Sequence, residues 1–382
     1  MTPDRHPIDR RAFLRHAGGL ALGGVAAAGC TPESTPTRQA APAVHTRPAV
    51  FWRLASSFPR GLDVLFGAAE ELAQRLADLT DGRFRVRPYP AGELVPGLQV
   101  LDAVQQGAVE IGHTGGYYYI GKEPALAFDT GLPFGLTARQ HEAWLYHLGG
   151  LEALRPLFAD FDVVNFPGGN TGAQMGGWFR EPIASVGDLR GLRMRIPGLG
   201  GKVMSALGVN VQVLAAGDIY PALERGAIDA TEFVGPYDDE RLGFYRVARY
   251  YYYPGWWEPG PNLAFYVHRR AWEKLPADYQ RAFETAVRAV AANVLAKYDA
   301  RNGAALRRLR QQGVVLRRFP DDLMEAARQA ATELFEQEAA RNPTYRRLYE
   351  PWKRARAQLM GWFDVAEQAY AAFAFPRLGE NA

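Results

Sequence analysis

The sequence predicts an α/β protein of two lobes with a cleft between them and a long helical region toward the C-terminal end. Three observations carry that prediction. A strand, helix, strand, helix, strand pattern runs from Phe51 to Gly112, and a second alternation of strands and helices runs from Val163 to Val234. Such alternation is the grammar of a parallel sheet with crossover helices. Two breaks, Gly168-Gly169-Asn170-Thr171-Gly172 and Pro254-Gly255, stand where the chain could pass from one sheet to the other, as hinges or as ordinary loops. From Trp272 onward the apolar positions mostly follow helical spacing.

The N-terminal residues read as an address. Asp9-Arg10-Arg11-Ala12-Phe13-Leu14-Arg15 sets paired arginines before Phe-Leu, and a small, apolar run from Ala17 to Ala28 follows. That arrangement resembles a twin-arginine export signal, although Asp9 stands where Ser or Thr is usual. The run is too short and too rich in glycine to span a bilayer. Ala28-Gly29-Cys30 resembles a lipobox, in which Cys30 becomes the lipid-bearing first residue of the mature chain. The alternative is ordinary signal-peptidase cleavage nearby. Cys30 is the only cysteine, which excludes disulfides within the chain and thiolate metal clusters. Thr31 to Ala49, rich in Pro, Thr and Ala, reads as a flexible tether. A body of about 330 residues remains, enough for two lobes with sizeable cores. The net charge of +3 is small for 382 residues, and no basic stripe lies beside spaced aromatics, so nucleic acid is not an expected partner. No other segment is long and apolar enough to cross a bilayer, so membrane attachment is expected through the lipid anchor only.

Within the body, Phe51 to Ala55 reads as a strand. Leu62 to Leu79 reads as an amphipathic helix through Leu65, Ala69, Leu72, Leu76 and Leu79, with Gly82 placed for a C-terminal cap. A strand at Arg83 to Pro88, a helix from Gly97 to Gln106 ending at Gly107, and a strand at Val109 to Gly112 complete the first run. A helix around Gln140 to Leu148 leads to strands at Val163 to Phe166 and Trp178 to Phe179 and to a short helix at Val186 to Leu189. In Gly191 to Pro197, Leu192, Met194 and Ile196 share one face of a strand and Arg193 and Arg195 the other, until Pro197 and Gly198 end it. Helix Gly201 to Leu207, strand Val209 to Leu214, helix Asp218 to Glu224 and strand Ala230 to Val234 follow. Two long helices, Ala277 to Leu306 and Asp321 to Arg341, dominate the rest, with interruptions expected at Asn342-Pro343 and at Pro351. Leu359, Trp362, Phe363, Ala366, Tyr370 and Phe373 then form an apolar stripe that packs on its own core or on a second subunit.

Ligands of open α/β sheets gather beyond the carboxyl ends of strands, where Arg195 is placed. Its guanidinium would match a carboxylate in two-point fashion; the plainer alternative is a surface ion pair. Three further stretches bear on it. Gly172-Ala173-Gln174-Met175-Gly176 offers an uncharged amide, Asp229 to Pro236 carries Glu232 at a strand end, and Tyr253 to Gly260 sets Glu258 among bulky rings. His113, His141, His147 and His268 show no metal-ligand spacing and read as core or surface residues.

Several motifs in order carry a family resemblance. They are Leu-Arg-Met-Arg-Ile-Pro-Gly ending at Gly198, and Ile-Tyr-Pro-Ala-Leu-Glu-Arg-Gly-Ala-Ile-Asp-Ala from Ile219 to Ala230 with the adjoining Thr-Glu-Phe-Val-Gly-Pro. Pro-Tyr-Pro-Ala-Gly-Glu-Leu from Pro88 and Leu-Gly-Gly-Leu from Leu148 add to them. Together, and over nearly the whole body, they resemble the DctP-like substrate-binding subunits of tripartite ATP-independent periplasmic (TRAP) transporters, in the branch that binds 2-oxo or 2-hydroxy monocarboxylates. The resemblance implies the two-lobed periplasmic binding protein fold. It also implies an extracytoplasmic protein that delivers a small organic acid to a small and a large TRAP membrane subunit. By position, Arg195 would hold the substrate carboxylate, and Gln174, Glu232, the Phe233 backbone carbonyl and Glu258 would ligate a cation beside it. Tyr118 would contact the ligand from the first lobe, and Asn262 is a further candidate. The implied organisation is a signal at 1–29, a lipid-anchored linker at 30–49, a first lobe at 50–167 to which 255–300 returns, and a second lobe at 168–254. Helices at 301–382 would span the lobes or form a dimer interface.

Charge supports the cation independently. Two carboxylates and an anionic substrate closed away from water with one guanidinium leave excess negative charge, and burying it costs several kcal/mol. All the ligands are oxygens, so the ion is expected to be hard, sodium or calcium, with magnesium less suited to a site lacking several waters. Trp256, Trp257 and Tyr118 suggest apolar walls and hence a monocarboxylate. Two rivals are a metal-assisted enzyme acting on a small carboxylic acid, against which no nucleophile with a partnered base is found, and a module that presents its ligand to a membrane sensor.

Overall fold

The computed structural model describes residues 48–375. Arg10, Arg11, Cys30 and most of the tether lie outside the described residues. The chain first lays down β1 (Val50–Ser56), α1 (Leu65–Leu79), β2 (Phe84–Tyr89), α2 (Val100–Gln105) and β3 (Ile111–Thr114). Next come α3 (Ala127–Thr130), α4 (Ala138–His147), α5 (Gly150–Ala159) and β4 (Val163–Asn170). A second group follows: β5 (Trp178–Phe179), β6 (Arg193–Arg195), α6 (Gly198–Ala206), β7 (Asn210–Gln212), α7 (Ala216–Glu224), β8 (Ala230–Thr231), α8 (Pro236–Leu242) and β9 (Tyr250–Tyr253). The remainder is β10 (Asn262–His268), α9 (Arg269–Lys274), α10 (Ala277–Gln311), β11 (Val315–Arg318), α11 (Asp321–Arg341), α12 (Pro343–Phe363) and α13 (Ala369–Ala374).

These strands form two sheets, ordered β2-β1-β3-β10-β4 and β11-β9-β5-β8-β6-β7. The chain passes from the first to the second between Asn170 and Trp178 and comes back between Tyr253 and Asn262. Neither sheet is wholly parallel, contrary to the expected grammar. β10 runs antiparallel to both β3 and β4, and β5 runs antiparallel to both β8 and β9. The exceptions share a cause. Each follows a short passage from the other sheet, so it starts at the cleft end, where its neighbours finish; β11, which the chain reaches through the long α10, runs parallel to β9.

Local chemistry explains the individual elements. On α1, Leu65, Phe66, Ala69, Leu72 and Leu76 are buried; Thr80 donates its hydroxyl to the Leu76 carbonyl at 2.6 Å, and Gly82, at φ +71°, turns back to the Ala77 carbonyl at 2.7 Å. Leu79, expected on the same face, is exposed. Gly168, Gly169 and Asn170 extend β4 instead of forming a loop, whereas the expected strands after Val209 and Ala230 shrink to three and two residues. Pro351 does not interrupt α12, because Leu348, Tyr349, Trp352 and Ala355 bury the helix on either side of it and outweigh one lost backbone bond. α10 packs on α1 and β4 and also on α8, so one helix serves both lobes. Beyond Leu359 the apolar stripe is bare: Trp362 is 62% exposed and Phe373 is 93% exposed.

Candidate functional site

β6 and β8 are parallel neighbours, with Arg195 opposite Thr231. The Arg195 side chain, 1% exposed, reaches past the strand end. Its Nη1 donates to the Glu232 carbonyl at 3.0 Å and to the Glu232 carboxylate at 2.5 Å, and its Nε donates to the Leu214 carbonyl at 3.2 Å. Nη2 is buried with no protein partner. Arg195 is therefore not a surface residue, yet it does form an ion pair, and its partner is another of the expected site residues.

The two passages between the sheets supply the neighbouring wall. They are tied together where Gln174 donates its backbone N–H to the Glu258 carbonyl at 3.2 Å and Thr171 donates its own to the Pro261 carbonyl at 3.3 Å. The Gln174 amide nitrogen donates to the Thr171 hydroxyl at 3.2 Å, which leaves its Oε1 buried and unpartnered. Burial pushes the Glu258 carboxyl up to about 7, against the pull of Arg195 and the Gln174 side chain. Burial also raises Glu232 well above the usual carboxylate range, opposed by Arg195 and reinforced by Glu258 and Asp239. Two buried carboxyls that resist charging next to an orphaned amide oxygen fit a hard cation, which would compensate both and occupy the third. The set is not a cluster of acids alone: among the described residues no three His, Cys, Asp or Glu side chains are grouped to hold a metal.

Arg195, Gln174, Glu232 and Tyr118 line one small, nearly closed cavity between the lobes, together with Tyr117 and Thr171. Its apolar wall is Phe58, Leu65, Phe233, Val234 and Leu263. Tyr117 meets Tyr118 edge-on at 4.4 Å and abuts Gly198 of the other lobe, where an added Cβ would come within 2.9 Å of the Tyr117 Cβ. The Tyr117-Tyr118-Tyr119 run was the available signal for Tyr117, and Gly172's neighbour Thr171 carried none.

The expected apolar wall is corrected. Trp256 and Trp257 do not wall this cavity: Trp256 stacks on Phe134 at 5.1 Å and Trp257 packs against Phe319 at 5.8 Å, because the loop after Tyr253 turns both rings into the core beneath the C-terminal helices. Asn262 also stands apart. It pairs with Asn170 across β10 and β4 and donates to the Asp129 backbone carbonyl at 3.0 Å, so its amide braces the first lobe.

Residues 56–342 match the bacterial extracellular solute-binding proteins of family 7, DctP. The chain belongs to that family. A monocarboxylate 2-oxoacid-binding periplasmic protein of Nostoc sp. is 52% identical over 367 residues, covering 96% of this chain and 99% of the relative. A TRAP transporter solute-binding protein from Bordetella bronchiseptica RB50, a mixed-occupancy dimer with copurified calcium and picolinate in one active site and an apo second site, is 49% identical. It superposes with a TM-score of 0.85 over 86% of this chain and 98% of its own. A TRAP periplasmic solute-binding protein from Pseudoalteromonas atlantica T6c with bound sodium and pyruvate is 37% identical, with a TM-score of 0.83 over 86% of this chain and all of its own. Family 7 proteins of this kind share the two-lobed α/β architecture described above.

Proposed function

We propose that the chain captures a 2-oxo or 2-hydroxy monocarboxylate together with sodium or calcium and delivers it to the membrane subunits of a TRAP transporter. The observation that carries the reading is a pair of buried, unpartnered atoms on one cavity, the Arg195 Nη2 donor and the Gln174 Oε1 acceptor. The first suits a carboxylate oxygen and the second a cation. Glu232, the Phe233 carbonyl and Glu258 complete the cation's ligands, and Tyr118 meets the acid from the first lobe. The cation then reads the oxygen next to the substrate carboxylate, which is what a 2-oxo or 2-hydroxy acid supplies. A dicarboxylate is disfavoured, because Arg195 is the only cationic side chain on the cavity among the described residues. The lobes at 50–167 with 255–300 and at 168–254 close by rotation at the two passages.

The reading is a binding protein and not an enzyme, since both acids are committed to the cation. Export by the twin-arginine route and lipid attachment at Cys30 would hold the protein at the outer face of the cell membrane. The bare aromatic face at the C-terminal end and the dimeric Bordetella relative support a homodimer through these helices.

Thermal melting against small carboxylic acids, each with EDTA, sodium or calcium, tests the central claim. Pyruvate at about 100 times its Kd is expected to raise Tm by about 5 °C in the presence of the cation. A full panel without any shift, or a shift indifferent to EDTA and to sodium removal, would sink it.

A further inference from the structure

Four residues meet at the rim of the cleft without touching the cavity. Asp63 belongs to the segment between β1 and α1; Phe58 of that segment and Leu65 at the start of α1 wall the cavity from the first lobe. Tyr237 and Arg241 lie on α8, directly after the Glu232-Phe233-Val234 stretch that walls it from the second. Arg301 comes from α10, which packs on both α1 and α8. The Tyr237 hydroxyl donates to Asp63 Oδ2 at 3.0 Å and accepts from Arg241 Nη1 at 3.1 Å and Arg301 Nη1 at 3.0 Å. Arg301 pairs directly with Asp63 at 3.0 Å, Arg241 pairs with it at 3.3 Å, and Arg241 Nε donates to the Gly61 carbonyl at 3.2 Å. Both guanidiniums also lie over the Tyr237 ring, at 4.9 and 5.0 Å from its centre.

Both sides of this network reach α10: Arg301 pairs with Asp63, and the Tyr237 backbone N–H donates to Asn302 Oδ1 at 3.0 Å. Asp63 and Gly61 nevertheless stand on the wall of the cavity opposite α8. Their bonds to Tyr237 and Arg241 can exist only while the two walls are together. A lone exposed ion pair contributes little, but here one carboxylate is shared by two guanidiniums and a phenol already aligned by ring contacts, so less side-chain freedom is lost on closing.

We propose that Asp63 and Tyr237 are the two halves of a clasp that holds the lobes shut, so that they set the release rate of a ligand they never contact. The proposal rests on the binding reading above, and its test separates the two. Pyruvate with calcium is the probe, and release is followed by stopped-flow tryptophan fluorescence on the full chain and on Tyr237→Phe and Asp63→Asn. Both variants are expected to release pyruvate about twofold to fivefold faster, with unliganded melting within about 2 °C of wild type, as surface substitutions allow. Potassium chloride is expected to speed wild-type release and to have less effect on Asp63→Asn, because screening acts on a charge the variant lacks. Release at the wild-type rate from both variants overturns the clasp. If wild type binds no 2-oxo acid, the binding reading fails, and the clasp is then read from small-angle scattering of the free protein: a larger radius of gyration in both variants upholds it, and identical profiles overturn it.

Discussion

At the scale of single residues, Arg195 is the position on which most depends. Its place was legible because strand alternation and a Pro-Gly stop are local signals, and the strand end then follows from the general position of α/β ligand sites. What could not be read was the division of its nitrogens, with Nη1 and Nε held by the protein and Nη2 left over. Trp256 and Trp257 were misjudged because composition says that a ring will be buried and not on which side of its loop. Asn262 carries no such local signal, because a polar residue at the end of a buried strand serves structure as readily as it serves a ligand. Arg195→Ala is expected to weaken pyruvate binding about 10- to 150-fold, the range for a hydrogen bond to a charged group, and to lower Tm by stranding Glu232. Arg195→Lys should recover only part of the affinity, since an ammonium lacks the fork. Calorimetric titration checks both, and wild-type affinity in the alanine variant would remove Arg195 from the site.

At the scale of elements, the long helices and the strands up to β8 were legible, and β9, β10 and β11 were not. α1, α10 and α11 carry long amphipathic patterns, whereas six of the seven residues of β10 are buried, which erases the alternation that marks a strand. β11 is a four-residue edge with two arginines, too short and polar to stand out. The start of α6 meets the first lobe directly. Gly198 sits at φ +68° with Tyr117 of the other lobe against it. Gly198→Ala should cost about 1–2 kcal/mol of backbone strain and, by pressing on Tyr117, weaken ligand binding at least tenfold beyond any change in unliganded stability. Equal affinity in the variant would show that the two walls do not approach so closely in the bound form. At the other end of the chain, Trp362→Asp is expected to shift the protein from dimer to monomer in sedimentation velocity. A wild-type monomer, or a dimer untouched by the substitution, counts against that face.

At the scale of the whole molecule, the two-lobed plan was legible from the repeated alternation and the breaks between, while the reversed strands were not, because direction within a sheet depends on where the chain enters it. Global stability should carry the mark of a buried histidine. Burial holds His113 neutral down to about 3. Its contribution is fully present above the unfolded value near 6.5 and is lost as pH falls toward 3, by up to about 1.4 kcal/mol per pH unit, since only the unfolded chain takes up the proton. Asp129, raised by burial to about 6, acts in the opposite sense between about 4 and 6, so the readout is the difference between wild type and His113→Asn. Denaturant unfolding between pH 7 and 4 should show a flatter dependence in the variant, and parallel curves would assign the acid sensitivity elsewhere. The strand order also governs events during synthesis. β10 lies inside the first sheet, between β3 and β4, yet it is translated after every strand of the second sheet except β11. The ribosome therefore releases the first lobe unfinished, holds it so while the second lobe emerges, and completes both only once residue 318 has left the tunnel. A nascent chain arrested anywhere before that point exposes unpaired strand edges, and the demand for protection during folding is set by the interleaving and not by the size of either lobe.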